Sequence, residues 1–239
     1  MLKQLITTSF VIATITISTG AHALNPFDLS SLNQSTFDQL SEDLGASLSY
    51  KAMSPAEPLG ITGFDIGLEV SATQLKSAAI FNSVTGSSFD TLPVPRLYIR
   101  KGLPLNIDVG ISYLPGSISL IGYELSYAIM EGGIAKPALA VRLTSSKLSG
   151  SSDISTTTQG YELAVSKGFA MFTPYAGVGS IKVTTTPGSA YSGTLSKTSS
   201  TLFKTFYGFN MAFGLMSVAV EADRTGGINS YGAKMGFRF

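Results

Sequence analysis

The stretch that decides the fold is Asn229-Ser-Tyr-Gly-Ala-Lys-Met-Gly-Phe-Arg-Phe239, in which two kinds of side chain alternate without interruption. Because successive side chains of a β-strand point to opposite faces, this period of two predicts a strand with two unlike faces. One face suits lipid and carries Tyr231, Ala233, Met235, Phe237 and Phe239; the other suits water and carries Ser230, Gly232, Lys234, Gly236 and Arg238.

A C-terminal strand of this kind, closing on an aromatic residue, resembles that of bacterial outer-membrane β-barrel proteins. In that class the aromatic strand is the assembly signal, so the resemblance implies that Tyr231, Phe237 and Phe239 are read during insertion. It also implies two partners, the barrel-assembly machinery and the lipid of the outer membrane. It names a class and a location but no substrate.

The N-terminal residues read as a secretory signal peptide over residues 1–23. Lys3 gives a positive start, an apolar stretch follows, and Ala21-His22-Ala23 fits the rule of small residues at the cleavage site. A retained membrane anchor is the alternative, disfavoured because the apolar stretch is short and rich in Thr. The chain contains no Cys, so it has no lipoprotein attachment site. Export by this route fits the bacterial outer membrane.

Composition excludes several classes of protein. Cleavage after Ala23 leaves fifteen basic residues against fifteen acidic ones, so no basic excess is available to bind nucleic acid. The chain is apolar, with 44% hydrophobic residues, only 13% charged residues and a mean hydropathy of +0.28. Beyond the signal peptide it nevertheless lacks an apolar run long enough for a spanning helix. The apolar residues must therefore alternate with polar ones.

Alternating segments of about nine to fourteen residues recur from Ile61 to Phe239, and ten can be counted. Such lengths suit tilted strands that cross a bilayer, whereas the strands of a soluble sandwich are shorter. Short turns alternate with three long polar connections, expected at 73–93, 145–158 and 184–200. We predict an all-β fold over residues 61–239, an antiparallel up-and-down transmembrane β-barrel of about 10 to 12 strands. A secreted β-sandwich is the alternative.

The sequence of residues 24–60 predicts a short helical segment before the barrel. Ser35-Thr-Phe-Asp38 is typical of a helix start, and Gly45–Ala52 alternates like a short strand. We expect a plug, a lid or a periplasmic extension; a plain leader is the alternative. The stretch from Ala52 to Asp65 resembles a segment of an uncharacterised family of exported Gram-negative proteins, which implies no activity.

Charged residues fall on only one face of the alternating segments, and that face is expected to line the lumen. They could be paired and fill the interior, line a path for ions or solutes, or supply a catalytic acid or base. The lumen-facing charged residues are predicted to be Asp65, Glu69, Arg96, Arg100, Asp108, Glu124, Arg142, Glu162, Lys204, Glu221, Asp223, Lys234 and Arg238.

The chemistry that these residues can perform is limited. The only His precedes the expected cleavage site and Cys is absent, so the Ser-His and Asp-His mechanisms of outer-membrane enzymes lack their base. We expect no enzymatic activity, no cofactor and no metal. The expected function is a narrow channel or carrier for small or hydrophobic solutes. The alternative is a closed structural or surface-interaction barrel with a salt-bridged interior.

Overall fold

The computed structural model describes residues 27–133 and 135–239, so the predicted signal peptide at 1–23 lies outside the described residues. Within these ranges two α-helices and ten strands follow one another. They are α1 (Gln34–Leu48), β1 (Phe64–Gln74), α2 (Ala78–Thr85), β2 (Thr91–Leu103), β3 (Ile107–Leu114), β4 (Ser119–Glu131), β5 (Ala138–Ser149), β6 (Ile154–Ser166), β7 (Phe172–Pro187), β8 (Thr198–Phe213), β9 (Met216–Thr225) and β10 (Ile228–Arg238).

The ten strands form a closed antiparallel barrel in which every strand pairs with its neighbours in sequence. Closure comes from β1 and β10, which pair from Asp65 opposite Arg238 to Thr73 opposite Ser230. A closed sheet has no free edge, so every strand finds partners on both sides. The predicted fold class, an antiparallel up-and-down transmembrane β-barrel with a short N-terminal helix, is confirmed with ten strands.

The two faces of each strand differ as the sequence pattern predicts. In β3 the side chains of Val109, Ile111 and Tyr113 are 37%, 45% and 42% exposed on the outside. Asp108 and Ser112, which alternate with them, are 2% and 1% exposed on the inside. The barrel is therefore inverted relative to a soluble sandwich, with apolar side chains outside and polar ones within.

None of the helices in the described part of the chain has the length and apolarity needed to cross a membrane.

The connections differ from the expected lengths at one end of the barrel. The end where Phe64 and Phe239 pair is called the turn end, and the opposite end, which carries α2, the loop end. The long loop expected over 145–158 is wrong, because β5 and β6 extend through it and leave only residues 150–153 between them. Likewise, β7 and β8 shorten the expected 184–200 loop to residues 188–197, whereas the 73–93 connection is long and contains α2. Thr favours strands even where both faces are polar, so the loss of an apolar face did not end them.

The N-terminal segment also departs from expectation in one respect. The short strand expected over Gly45–Ala52 is wrong, since α1 continues to Leu48 and residues 49–63 contain no strand. The helix also begins earlier than Ser35, with Asn33 as its N-cap. The apolar residues Ala46, Leu48 and Tyr50 alternate in sequence like one face of a strand, but they are buried because the whole segment lies inside the barrel.

Candidate functional site

Helix α1 and the segment after it occupy the lumen, and residues 34–56 are called the plug. The helix starts at the loop end with a capping box, in which Thr36 N donates to Asn33 Oδ1 and Asn33 N donates to Thr36 Oγ1, both at 3.0 Å. The helix contacts β1, β2, β5, β6, β7, β8 and β10. The chain then reaches the turn end, where Leu59 N donates to the Asp108 carboxylate at 3.1 Å. The plug therefore runs along the barrel from the loop end to the turn end.

The loop end of the lumen is filled by an apolar cluster, called the apolar seal. One face of α1 supplies Phe37, Leu40, Leu44 and Leu48, each no more than 1% exposed. Helix α2 adds two side chains above them, and β2 to β6 present inward-facing apolar side chains around them. These wall and cap residues are Phe81, Val84, Leu92, Val94, Leu114, Leu120, Leu148 and Ile154.

The middle of the lumen holds a layer of buried ion pairs, called the ionic layer. Its members face inward from most of the strands and from the plug, and their side chains are at most 4% exposed. Buried charges are tolerated when they are paired, so the layer is electrostatically self-consistent. The pairs are Lys51–Asp223 (2.6 Å), Arg96–Glu69 (3.5 Å), Arg100–Asp108 (3.5 Å), Arg100–Glu124 (3.0 Å), Arg142–Glu124 (3.8 Å), Arg142–Glu162 (3.9 Å), Lys204–Glu162 (2.7 Å) and Lys234–Asp65 (3.1 Å).

Polar side chains of the wall form hydrogen bonds with backbone carbonyl groups of the plug that have no partner within a helix. The Arg142 guanidinium donates to the carbonyl oxygens of Ser54 at 2.7 Å and Pro55 at 2.8 Å. Ser146 Oγ donates to the Leu48 carbonyl at 2.6 Å at the end of α1. Buried backbone groups need such partners, so these contacts fix the path of the plug through the barrel.

Inward-facing glycines form sockets for the large side chains of the plug. A Cβ at Gly122 would lie 2.7 Å from Tyr50 Cδ2, and one at Gly110 would lie 2.7 Å from Tyr50 Oη. A Cβ at Gly232 would clash with the methyl end of Met53. Contacts this close leave no room for a side chain, so wall and plug are complementary in shape as well as in charge.

Asp43 links α1 to the connection before α2. Its two carboxylate oxygens accept backbone hydrogen bonds from Lys76 at 2.9 Å and Ser77 at 2.8 Å. Desolvation by burial raises the pKa of the Asp43 carboxyl above its ordinary value of 3.8, and the two backbone donors partly offset that effect. The contact holds the loop-end cap on the helix.

The structure places the predicted lumen-facing residues as follows. Twelve of the thirteen are buried inside the barrel, whereas Arg238 is partly exposed at the turn-end rim. Glu221 is buried beside Lys204 and Asp223. Sequence reasoning missed Lys51, although the predicted set holds seven acids and only six bases. Among the ion pairs of the described residues six acids face six bases, and Lys51 is the one base that comes from the plug.

The residues of the predicted assembly signal lie on the outer face of β10 and beyond its end. Tyr231, Phe237 and Phe239 are 55%, 56% and 61% exposed. Phe239 stacks on Phe64 with ring centroids 5.7 Å apart, and the two residues exchange backbone hydrogen bonds. These residues therefore lie at the seam where β1 and β10 close the barrel.

The carboxylates of the lumen lie among basic side chains. Over the described ranges, no group of three or more His, Cys, Asp or Glu side chains has the geometry to hold a metal ion. The buried carboxylates of the ionic layer face Arg and Lys instead.

Comparison with solved structures finds other barrels at low similarity. A loop L8 deletion mutant of OmpT, an outer membrane protein of Vibrio cholerae, is 11% identical, with 62% of this chain and 54% of that chain covered and a TM-score of 0.33. The Acinetobacter baumannii outer membrane protein Omp33 is 6% identical, with coverages of 81% and 100% and a TM-score of 0.30. Ail, the attachment invasion locus protein of Yersinia pestis, is 10% identical, with coverages of 74% and 97% and a TM-score of 0.27.

The match to OmpT spans about half the length of that chain. No protein-family model and no curated protein matches the sequence. At these TM-scores the likeness carries no argument of its own. The outer-membrane type of barrel that the sequence indicates is confirmed as a fold by its strand pairing and closure.

Proposed function

We propose that the protein is a non-enzymatic outer-membrane β-barrel whose lumen is closed by its own N-terminal plug, and that it acts as a structural or surface-interaction barrel. The observation that carries the proposal is the fit between plug and wall. The apolar seal, the ionic layer and the glycine sockets each join residues of the plug to residues of several strands.

The inward-facing apolar residues favour a closed lumen over a permanently open one. Leu92, Leu120 and Leu148 lie on the same faces of their strands as the charged or polar lumen residues and are at most 1% exposed. In an open pore these side chains would face water, and each exposed side chain would cost about 1.5–3 kcal/mol of folding free energy. A wall that carries them is suited to a plug that covers them.

The outward surface supports the membrane location. Apolar side chains such as Leu68, Leu125, Leu143 and Met235 are 44%, 45%, 58% and 51% exposed on the outer face. An apolar band that encircles a barrel is unfavourable in water and favourable in lipid. Purified protein should therefore need detergent, and folded protein should migrate differently on a gel before and after heating. Purification as a soluble monomer would contradict the location.

A gated channel or carrier is the second candidate, and one observation favours it. The plug is attached to β1 only through residues 57–63, and its contacts with the ionic layer are non-covalent. Displacing the plug would leave a lumen lined by paired charges, which water can solvate. Such a lumen would suit small polar solutes.

A disulfide lock separates the two candidates. Ser41 Oγ on α1 donates to Thr185 Oγ1 on β7 at 2.7 Å, and the natural chain contains no Cys. The double variant S41C/T185C should therefore cross-link the plug to the wall under oxidising conditions. The single variant S41C is the matched control, because it changes the plug without locking it.

Planar-bilayer conductance is the readout. A closed barrel predicts no current from the wild type or from either variant. Current from the wild type that disappears on oxidation of S41C/T185C and returns on reduction would replace the closed barrel with the gated channel. Steady current from the oxidised double variant would show that the plug does not close the lumen.

A further inference from the structure

The outer face of β8, β9 and β10 carries a trough that the proposed function leaves unused. Its floor is Ala222 on β9, which is flanked by the larger Tyr207 and Tyr231 on the neighbouring strands. The register sets three rows across the strands: Phe209, Val220 and Ala233; Tyr207, Ala222 and Tyr231; and Thr205, Arg224 and Asn229.

The trough is a real depression in the surface. Ala222 is partly covered between Tyr207 and Tyr231, which are 69% and 55% exposed. Two adjoining depressions of about 230 and 400 Å³ share these three residues. One continues towards Arg224 and the other towards Val220. An elongated ligand could therefore lie along the strand with its two ends in different surroundings.

The two ends of the trough differ in chemistry. The end nearer the middle of the barrel is apolar, with Phe209 and Val220. The loop end has Arg224, with Thr205 and Asn229 on either side, and all three are exposed or partly exposed. A planar guanidinium flanked by a hydroxyl and an amide provides the donors that bind a phosphate group.

The charge of this surface is one-sided. Arg224 makes no ion pair within the described ranges, and the acids of β9 point into the lumen, where Glu221 and Asp223 are buried. On the outward strand faces towards the loop end the other bases are Lys147 and Lys182, whereas the connections beyond the strands carry exposed residues of both signs, among them Lys197 and Asp90. The outward strand faces near the loop end are therefore complementary to a layer of anionic headgroups.

We propose that this trough binds a phosphorylated lipid of the outer leaflet, with a phosphate at Arg224 and one acyl chain between Tyr207 and Tyr231. The inference rests on the proposed outer-membrane location, with the loop end facing outward. The apolar part of the trough selects a chain, and Arg224 fixes the depth of the headgroup. A second copy of the protein is a poorer occupant, because its loop end would bring the same basic residues.

The structure offers a matched control groove. A depression of about 630 Å³ on β5 to β8 has apolar walls that include Leu143, Tyr161 and Phe203. Ser180 lies among them, and the charged residues bordering this groove, Arg142 and Glu162, are buried within the lumen. Filling this groove with the variant S180L tests whether any apolar groove on the barrel binds lipid equally.

Native mass spectrometry of the folded protein in detergent, titrated with bis-phosphorylated lipid A, tests the proposal. We expect one tightly held lipid on the wild type. R224Q and A222L should each weaken its binding about tenfold, by loss of the phosphate contact or of the chain site. S180L and K147Q should bind like the wild type, and lipid A without phosphates should bind about tenfold more weakly.

Several results would overturn the proposal. Unchanged binding by R224Q, equal binding of dephosphorylated lipid A, or an equal loss with S180L would each show that the trough is not a specific site. Competition by inorganic phosphate at the concentration of the lipid would show a phosphate site without lipid recognition. Heat-modifiable gel migration of each variant shows that it is folded. A folded barrel that binds no lipid refutes the inference alone, whereas failure to insert into membranes refutes the proposed function.

Discussion

The ion pair between Lys51 and Asp223 allows a quantitative test of how the plug is held. The two charged atoms lie 2.6 Å apart, with side chains 1% and 2% exposed, and Thr225 Oγ1 donates to the other Asp223 oxygen at 3.0 Å. K51M removes the charge and keeps much of the side-chain length. It leaves the Asp223 carboxylate buried with one neutral donor, which should lower the free energy of unfolding by about 3–5 kcal/mol.

A second substitution separates loss of the pair from loss of packing. In K51M/D223L both charges are replaced by apolar side chains, and such replacements of buried pairs are often neutral. We therefore expect the double variant to recover at least half of the loss. K182M is the matched control, since Lys182 is exposed on the outer face of β7 and its loss should change stability by at most about 0.5 kcal/mol.

The assay is urea unfolding in lipid vesicles, followed by the gel mobility of unheated samples. A loss below about 1 kcal/mol for K51M would refute the reasoning, because it would mean that water reaches Asp223 in the folded protein. A double variant no more stable than K51M would also refute it, since the loss would then come from packing rather than from an unpaired charge.

Three further variants test the fit of the plug and the closure of the barrel. G122A should lower the free energy of unfolding by about 1–3 kcal/mol through its clashes with Ser112 Oγ and with the Tyr50 ring, of which Y50A in the same chain should remove only the second; G193A, with open space at its Cβ, is the control in the same urea assay. L44A removes a fully buried side chain from the apolar seal and should lower the free energy of unfolding by about 2–5 kcal/mol. Hydrogen exchange of the α1 amides should then become faster, while that of the strand amides changes less. Equal protection of the α1 amides in L44A and the wild type would place the plug outside the lumen. F239A should reduce the fraction of heat-modifiable protein in the outer-membrane fraction of expressing cells, and an unchanged fraction would refute its predicted role as an assembly signal.

The barrel could be predicted from the sequence because most of its strands have two chemically different faces. In β3 and β10 the alternation is complete, and it gave both the strands and the direction of their side chains. The prediction was wrong where the outward face becomes polar, as in the loop-end halves of β5 and β6. There Ser146 and Thr158 satisfy each other inside at 2.7 Å, so a polar inner face is as well ordered as a charged one.

The second half of the plug was harder to predict because residues 43–56 are buried on all sides. The first turns of α1 carry an apolar stripe at Phe37, Leu40 and Leu44, but beyond Leu44 burial on all sides removes the stripe, and the last turn can imitate the alternation of a strand. The wall nevertheless contained a signal. In β2, Leu92 and Val94 share the inward face with Arg96, and in β4 Leu120 shares it with Glu124. Apolar residues on a lumen-facing side indicate that something covers them.

The two parts of the lumen resist opening to very different degrees. The ionic layer should add little to the free energy of opening. Water would solvate Lys51 and the other charges that lose their partners, and a buried ion pair contributes close to zero net free energy to folding. The apolar seal differs, since four side chains of α1 and six of the wall would be exposed. At about 1.5–3 kcal/mol each, their exposure costs on the order of 15–30 kcal/mol, more than the total stability of most domains.

Spontaneous exit of the intact plug should therefore not be populated, and K51M should destabilise the fold without producing current. A gated channel would need a partner or ligand that covers the apolar side chains as the plug leaves. The decisive region for any transport function is then the apolar seal at the loop end, not the charged residues of the lumen. Current through L44A, a variant of the seal, but not through K51M would support the greater role of the apolar seal. Current through K51M but not through L44A would contradict it.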